Sequence, residues 1–360
     1  MIKKALNSNF MRAKKAKNDE FYTQISDIEN ELKYYRDQFR NKTVYCNCDD
    51  PVESEFYRYF HLNFHFFGMK KLLSTHYDES KPTYALIYEG GTGEESDNDY
   101  NSYDKKIPLK ENGDFRSQES IDLLKQADMV VTNPPFSLYR EYVAQLIKYH
   151  KQFIIIGNKN SITYKEIFPL LMNNKMWIGI TNPKEFRTPD GMTKKVNGLT
   201  RWFTNMPVKK PTDREILWNK FSIKEMPLYD FYAAFNIDKV SHIPVEKEID
   251  VWINQSRLAG FQKVYQENLT IKSEKDDKIL VHIKHPIFGV PITFLDKYNP
   301  SSKLFPDDNL AMRFKIIDAN QCRTKEDNRK HPALIKNADG QITTTQGTKR
   351  TYARICIQVR

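Results

Sequence analysis

The sequence predicts an α/β chain: a doubly wound, mainly parallel sheet of the Rossmann-like kind, followed by an irregular, β-rich C-terminal region. Three observations carry this. Up to about residue 180, short apolar runs of strand length alternate with amphipathic stretches of helical period. One run, Met129-Val130-Val131, passes through Thr132-Asn133-Pro134-Pro135-Phe136 into a stretch with Leu138, Tyr142, Val143, Leu146 and Ile147 at helical spacing. Beyond residue 180 the alternation gives way to short β-type runs separated by prolines and polar loops. The expected division is therefore 1–180 and 181–360.

Taken in order, residues 1–17 are basic and weakly patterned, with Lys14, Lys15 and Lys17 clustered, and read as an arm able to touch phosphates. A helix follows, with Ile25, Ile28, Leu32, Tyr35 and Phe39 on one face. The first strand, Lys42 to Cys46, ends in Asn47-Cys48-Asp49-Asp50-Pro51, and a second helix carries Phe56, Tyr59 and Phe60. A second strand, Lys71 to Thr75, ends at His76-Tyr77-Asp78. Residues 79–112 read as a long loop or hairpin, with Tyr84 to Tyr88 as its strand. Within it, Gly90-Gly91-Thr92-Gly93 lacks the Gly-Lys-Ser/Thr ending of a phosphate loop and runs into acids, so it reads as a turn. Gly113-Asp114-Phe115 precedes a helix from Ser117 to Gln126. After the central strand, Ser137 is placed to cap the next helix. A strand at Phe153–Ile156, a helix from Tyr164 to Met172 and a strand at Met176–Ile180 complete the alternation. The later β-type runs are Leu199–Thr204, Ile279–Ile283, Val290–Leu295 and Arg354–Ile357, and the charged segment Lys272–Lys278 reads as a surface loop.

The 360 residues are enough for two domains, 39% hydrophobic and 28% charged. No apolar run approaches the ~18 residues of a membrane span, and Met1 to Leu6 lacks a signal-peptide core. Cys46, Cys48, Cys322 and Cys356 are too few and badly spaced for a disulfide framework or a zinc site, which fits a reducing cytoplasm. The eight histidines show no metal-ligand spacing, and no metal is expected. Charge is unevenly divided. Residues 1–180 hold 25 Lys+Arg against 25 Asp+Glu, whereas residues 181–360 hold 31 against 21, so the whole net +10 lies in the second half. A neutral half beside a basic half points to catalysis in the first and polyanion contact in the second.

Asn133-Pro134-Pro135-Phe136 has a specific chemical use. An exocyclic amine on a planar base needs two acceptors, and the Asn133 amide oxygen and the Pro134 carbonyl can supply them. The two prolines fix φ, so the turn is rigid beforehand. Phe136 offers a face for the base to stack on, worth roughly 1–3 kcal/mol. A strand's carboxyl end is also where open α/β sheets bind ligands. The turn thus reads as a site for methylating an amine. The donor, S-adenosylmethionine, brings an ammonium and a ribose diol, and carboxylates at successive strand ends suit both. Asp49, Asp50, Asp78 and Asp114 stand at such positions.

The same residues carry a family resemblance. Phe21-Tyr22-Thr23-Gln24 resembles the Phe-Tyr-Thr-Pro type motif that opens many adenine-specific DNA methyltransferases. Asp49-Asp50-Pro51 sits where their first cofactor motif falls, Gly113-Asp114-Phe115 resembles their third, and Asn133-Pro134-Pro135-Phe136 matches their catalytic fourth. The pattern is most similar to the EcoRI adenine methyltransferase family, through Asp-Glu-Phe-Tyr-Thr-Gln, Tyr-Cys-Asn-Cys-Asp-Asp-Pro, Gly-Asp-Phe-Arg-Ser, Thr-Asn-Pro-Pro-Phe-Ser-Leu, Ser-Ile-Thr-Tyr-Lys-Glu and Gly-Val-Pro-Ile-Thr-Phe-Leu. It covers residues 10 to 180 and resumes near 231–300. Two features depart from it: no glycine-rich turn follows the first strand, and residues 181–230 and 246–287 carry no recognised motif.

The resemblance implies a site-specific adenine-N6 methyltransferase that takes its methyl from S-adenosylmethionine and acts directly on an adenine flipped out of duplex DNA. It implies a prokaryotic or phage-encoded cytoplasmic enzyme that modifies DNA beside a separately acting restriction endonuclease. Asn133, Pro134, Pro135 and Phe136 would be catalytic. Phe21, Tyr22, Thr23, Cys48, Asp49, Asp50, Asp78, Asp114 and Phe115 would line the cofactor. Lys14, Lys15, Arg201, Lys349 and Arg350 are the expected DNA contacts. Two other readings remain open from sequence: an enzyme acting on an RNA base or a protein glutamine amide, and a DNA-binding protein with an inactive methyltransferase fold.

Overall fold

A computed structural model describes residues 22–48, 50–52, 54–79, 83–91, 104–188, 192–196, 198–208, 210, 219–244, 246–301, 310–325, 331–334, 341–350 and 353–360. The chain divides into two units, the first comprising Met1–Ser161 and Ile178–Val208, the second Ile162–Trp177 and Lys209–Arg360. Residues 181–208, which the sequence reading placed with the second half, pack in the first unit because their strands complete its sheets.

The strands in chain order are β1 (Tyr22–Thr23), β2 (Thr43–Cys46), β3 (Lys71–Thr75), β4 (Tyr84–Tyr88), β5 (Lys105–Pro108), β6 (Met129–Thr132), β7 (Gln152–Asn158), β8 (Trp177–Ile178), β9 (Glu185–Arg187), β10 (Thr193–Lys195) and β11 (Thr200–Thr204). The largest sheet has the order β5-β4-β3-β2-β6-β7-β11-β8. Its centre, β3-β2-β6-β7, is parallel. The strands β4 and β5 on one side and β11 on the other run antiparallel. The sheet is therefore mixed rather than mainly parallel: the segment expected as a loop or hairpin pairs as a hairpin at one edge. Every residue of β2 and β6 is buried, as near-continuous apolar strands at the centre of a covered sheet should be.

Burial of the helical faces holds the rest. The helix Ile25–Leu32 continues as a tighter turn through Lys33–Phe39, placing Ile28, Leu32, Tyr35 and Phe39 in the core while Ile25 is left exposed. Phe39, Phe60 and Phe67 meet with ring centroids 5.0 to 5.9 Å apart, and each such pair adds about 0.5–1.5 kcal/mol beyond its burial. The helix expected from Ser117 runs over Gln118–Gln126, and Ser117 caps it through a bond from the Ser120 amide. The helix expected from Tyr164 is shorter, Phe168–Met172, with Pro169 in its first turn.

In the second unit the strands are β12 (Phe235–Asn236), β13 (Glu248–Asn254), β14 (Leu269–Lys275), β15 (Lys278–Lys284), β16 (Ile287–Pro291), β17 (Phe314–Ile317), β18 (Gln341–Thr344), β19 (Gly347–Arg350) and β20 (Arg354–Val359). They form sheets of order β12-β16-β20-β17 and β13-β15-β14 and the hairpin β18-β19. Lys272–Lys278 is not a loop. It is the tip of the β14–β15 hairpin, turned at Asp276 (φ 54°), and its charges stand on exposed strand positions. The run Val290–Leu295 also divides: β16 stops at Pro291 and a helical turn, Phe294–Lys297, follows. Among the described residues no helix is long and apolar enough to cross a membrane.

Candidate active site

The turn after β6 is held before any ligand arrives. Asn133 is 8% exposed, Pro134 is buried, and Pro135 and Phe136 are half-buried. Pro135 (φ −57°, ψ 123°) keeps the chain extended, and its carbonyl then accepts the Leu138 amide at 3.0 Å, closing a tight turn over Phe136–Leu138. The helix Tyr139–Lys148 starts from that turn. Ser137 is exposed and makes no cap, because the main chain of the turn already starts the helix. The Phe136 ring packs against the core and lies 6.5 Å from Phe186 of β9, tilted by 63°.

The neighbouring strand ends are tied to this turn. Beyond β2, the half-buried Cys48 donates its amide to Thr132 Oγ1 at 3.2 Å, one residue before Asn133. Asn47 is 3% exposed, and its Oδ1 accepts the Tyr142 hydroxyl from the helix after the turn. Phe115 is buried edge-on against Tyr142, at 5.0 Å and 84°, and its carbonyl accepts Gln145 Nε2. Phe115 therefore stands behind the site as packing. Gly113 adopts φ +77°, and a Cβ there would come within 2.0 Å of the His76 carbonyl oxygen. The close approach of these two segments requires glycine.

The carboxylates do not act as a simple row of strand-end acids. Asp50 faces His76, with Nε2 to Oδ2 at 3.0 Å, while its Oδ1 accepts the Val52 amide at 2.7 Å. Asp78 is half-buried and is held by its own amide donating to the Asn112 carbonyl. Asp114 accepts the Arg116 amide and two guanidinium bonds. Burial pushes its carboxyl up, but those Arg116 bonds outweigh burial and leave it below the usual carboxylate range.

With this geometry established, comparison with known proteins is direct. The profile of the family described as "Adenine-specific methyltransferase EcoRI" matches residues 9–261. The chain belongs to this family. It is 39% identical over 334 residues to the Type II methyltransferase M.EcoRI of Escherichia coli, covering 83% of this chain and 89% of that protein. It is 33% identical to M.MgeORF184P of Mycoplasma genitalium, covering 97% and 98%, and 32% identical to M.MpnI of Mycoplasma pneumoniae, covering 98% of each. Both are also named Type II methyltransferases. No solved structure gives a significant match.

In this EcoRI-family methyltransferase the N-terminal motif reaches the Asn133–Phe136 turn through a partner that no sequence motif singles out. Strand β1 pairs with β9, setting Thr23 opposite Phe186 and Tyr22 opposite Arg187. Phe186 thus touches both the motif and Phe136. Two buried carboxylates hold the approach to β9. Asp27 accepts the amides of Lys184 and Glu185, and Glu31 accepts those of Ile180 and Thr181 together with the hydroxyls of Thr181 and Tyr35. Phe21 and Asp49 lie outside the described residues. Near the turn, the Thr23 hydroxyl and the Asn47 Nδ2 are buried without a hydrogen-bond partner among the described residues.

The expected DNA contacts divide. Lys14 and Lys15 lie outside the described residues. Arg201 is 5% exposed in β11, and its guanidinium folds back onto the carbonyls of Gly198 and Thr200. That placement corrects the expectation of an arginine offered to DNA: every residue of β11 is buried, and the strand belongs to the first unit. Lys349 and Arg350 end strand β19, opposite Ile342 and Gln341.

Proposed function

We propose that this methyltransferase transfers a methyl group from S-adenosylmethionine to the N6 amine of an adenine flipped out of duplex DNA, at a defined sequence, as the modification partner of a separate restriction endonuclease. The observation that carries the reading is the buried Asn133 at the carboxyl end of a central parallel strand, followed by a proline-locked turn and a half-buried Phe136. The parallel centre of the sheet supports a doubly wound methyltransferase fold with the site at its strand ends. The names of the relatives support DNA as substrate and a restriction-modification setting.

The donor set around the turn fits the cofactor. Asp50, Asp78 and Asp114 offer carboxylates to a ribose diol and an ammonium, and the unpartnered Thr23 hydroxyl and Asn47 amide keep polar capacity for a ligand. An unmet buried polar group costs about 1–3 kcal/mol, so a ligand that meets one is favoured. When bound, S-adenosylmethionine supplies an electrophilic methyl on a sulfonium. The chain's own part is positional. Asn133 Oδ1 and the Pro134 carbonyl accept the two N6 hydrogens, and this draws electron density onto the nitrogen. Phe136 stacks on the base, and Phe186 backs Phe136. Positioning of this kind accounts for much of the acceleration in such reactions. Residues 209–360 would grip and read the duplex.

Labelled methyl transfer offered in parallel to duplex DNA, ribosomal RNA and protein tests the reading. Label appearing as N6-methyladenine in DNA supports it, and label confined to RNA or protein refutes it.

A further inference from the structure

We propose that His76 is a positioning residue that fixes the Asp50 carboxylate for the methyl donor, its ring held between Asp50 on one side and Thr83 on the other. The proposal deepens the reading above and rests on Asp50 belonging to the donor pocket. Sequence chose Asp78 as the polar group closing β3. The side chain that meets Asp50 is instead that of His76, the first residue past the strand.

Three contacts hold the ring. Nε2 lies 3.0 Å from Asp50 Oδ2 and, facing a carboxylate, donates to it. Thr83 Oγ1 lies 2.6 Å from Nδ1 and 2.9 Å from the His76 carbonyl, so one hydroxyl ties both the ring and the main chain of His76. The ring lies flat on Tyr84, at 4.9 Å and 7°. The Lys106 ammonium also lies over the Tyr84 ring, 3.8 Å from its centre. The Gly113 backbone runs so close to the His76 carbonyl that no side chain would fit between them.

The consequence concerns binding rather than transfer. Asp50 is clamped between His76 and the Val52 amide, so it meets the donor with its orientation already fixed. Releasing that clamp weakens the donor's binding and leaves Asn133 and Phe136 as they are.

The test uses the full chain, with S-adenosylmethionine titrated calorimetrically and turnover measured on duplex DNA. His76→Asn cannot reach Asp50, whereas His76→Gln can place an amide nitrogen near the position of Nε2. His76→Asn should bind the cofactor about tenfold more weakly, as loss of a charge-assisted bond predicts. His76→Gln should stay within about threefold of wild type. KM for the cofactor should follow these losses, with kcat at saturation within about twofold. Thr83→Val, which removes the hydroxyl that holds Nδ1 while keeping the shape, should give the same split if His76→Asn does not fold. Equal losses in His76→Asn and His76→Gln, or a fall in kcat without a change in affinity, would overturn the role of His76. A wild-type protein that does not bind S-adenosylmethionine would instead overturn the reading of the site itself.

Discussion

The Tyr142 hydroxyl donates to the side-chain oxygen of Asn47 at 2.5 Å, and both residues are buried. Tyr142 lies in the first turn of the helix that leaves the Asn133–Phe136 turn, and Asn47 follows the end of the neighbouring strand β2. One bond therefore ties that helix to the end of the neighbouring strand.

Tyr142→Phe removes the donor and leaves a buried oxygen unmet. The expected loss is about 1–3 kcal/mol of stability, read as a lower denaturation midpoint at unchanged slope. A midpoint equal to that of the wild type would show that the bond contributes nothing.

Glu31 should give stability a pH dependence of unusual sign. Burial pushes its carboxyl above the ordinary value, and the bonds from Thr181, Ile180 and Tyr35 offset only part of that. A carboxyl raised on folding contributes most below its unfolded value of about 4.3, and the contribution is lost as pH rises through the native value. The stability advantage of the wild type over Glu31→Gln should thus shrink as pH rises from about 4 toward neutrality. Melting temperatures of both proteins across that range decide it, and an advantage that grows with pH contradicts the assignment.

Much of this site was legible in the sequence. The strand–Asn-Pro-Pro-Phe–helix passage, the strands β3 and β4 with their ends, and the helix ending at Gln126 follow from local apolar period and turn chemistry, and the structure has them there, whereas the cap expected at Ser137 does not form. Pairings between residues far apart in the chain were not legible. His76, Tyr142 and Phe186 look like ordinary strand-end, core and edge residues until the fold sets them beside Asp50, Asn47 and Phe136. Arg201 misled for the same reason: a basic residue beside Trp202 and Phe203 reads as a nucleic-acid contact, yet its antiparallel pairing with Gly157 buries it. In β13, Glu248–Asn254, buried and exposed positions alternate strictly, and that period could have been read from Ile249, Val251 and Ile253.

The basic second half should govern DNA affinity. Lys349→Ala together with Arg350→Ala removes two of its charges. If these residues grip phosphates, affinity for all duplexes should fall alike, and the slope of log affinity against log salt should flatten by about 0.9 for each phosphate no longer neutralised. A change confined to one base position would make them readers of sequence instead. An unchanged affinity and slope would exclude both residues from the interface.

The central claim is that the Asn133 amide holds the amine that receives the methyl group. Asn133→Ala should be compared with wild type in single-turnover transfer to duplex DNA at saturating S-adenosylmethionine, with N6-methyladenine counted by mass spectrometry and cofactor affinity measured alongside. The transfer rate should fall at least about a hundredfold, a magnitude typical of removing a preorganised polar contact to the reacting group, with cofactor affinity almost unchanged. Near-normal transfer by Asn133→Ala would contradict the claim.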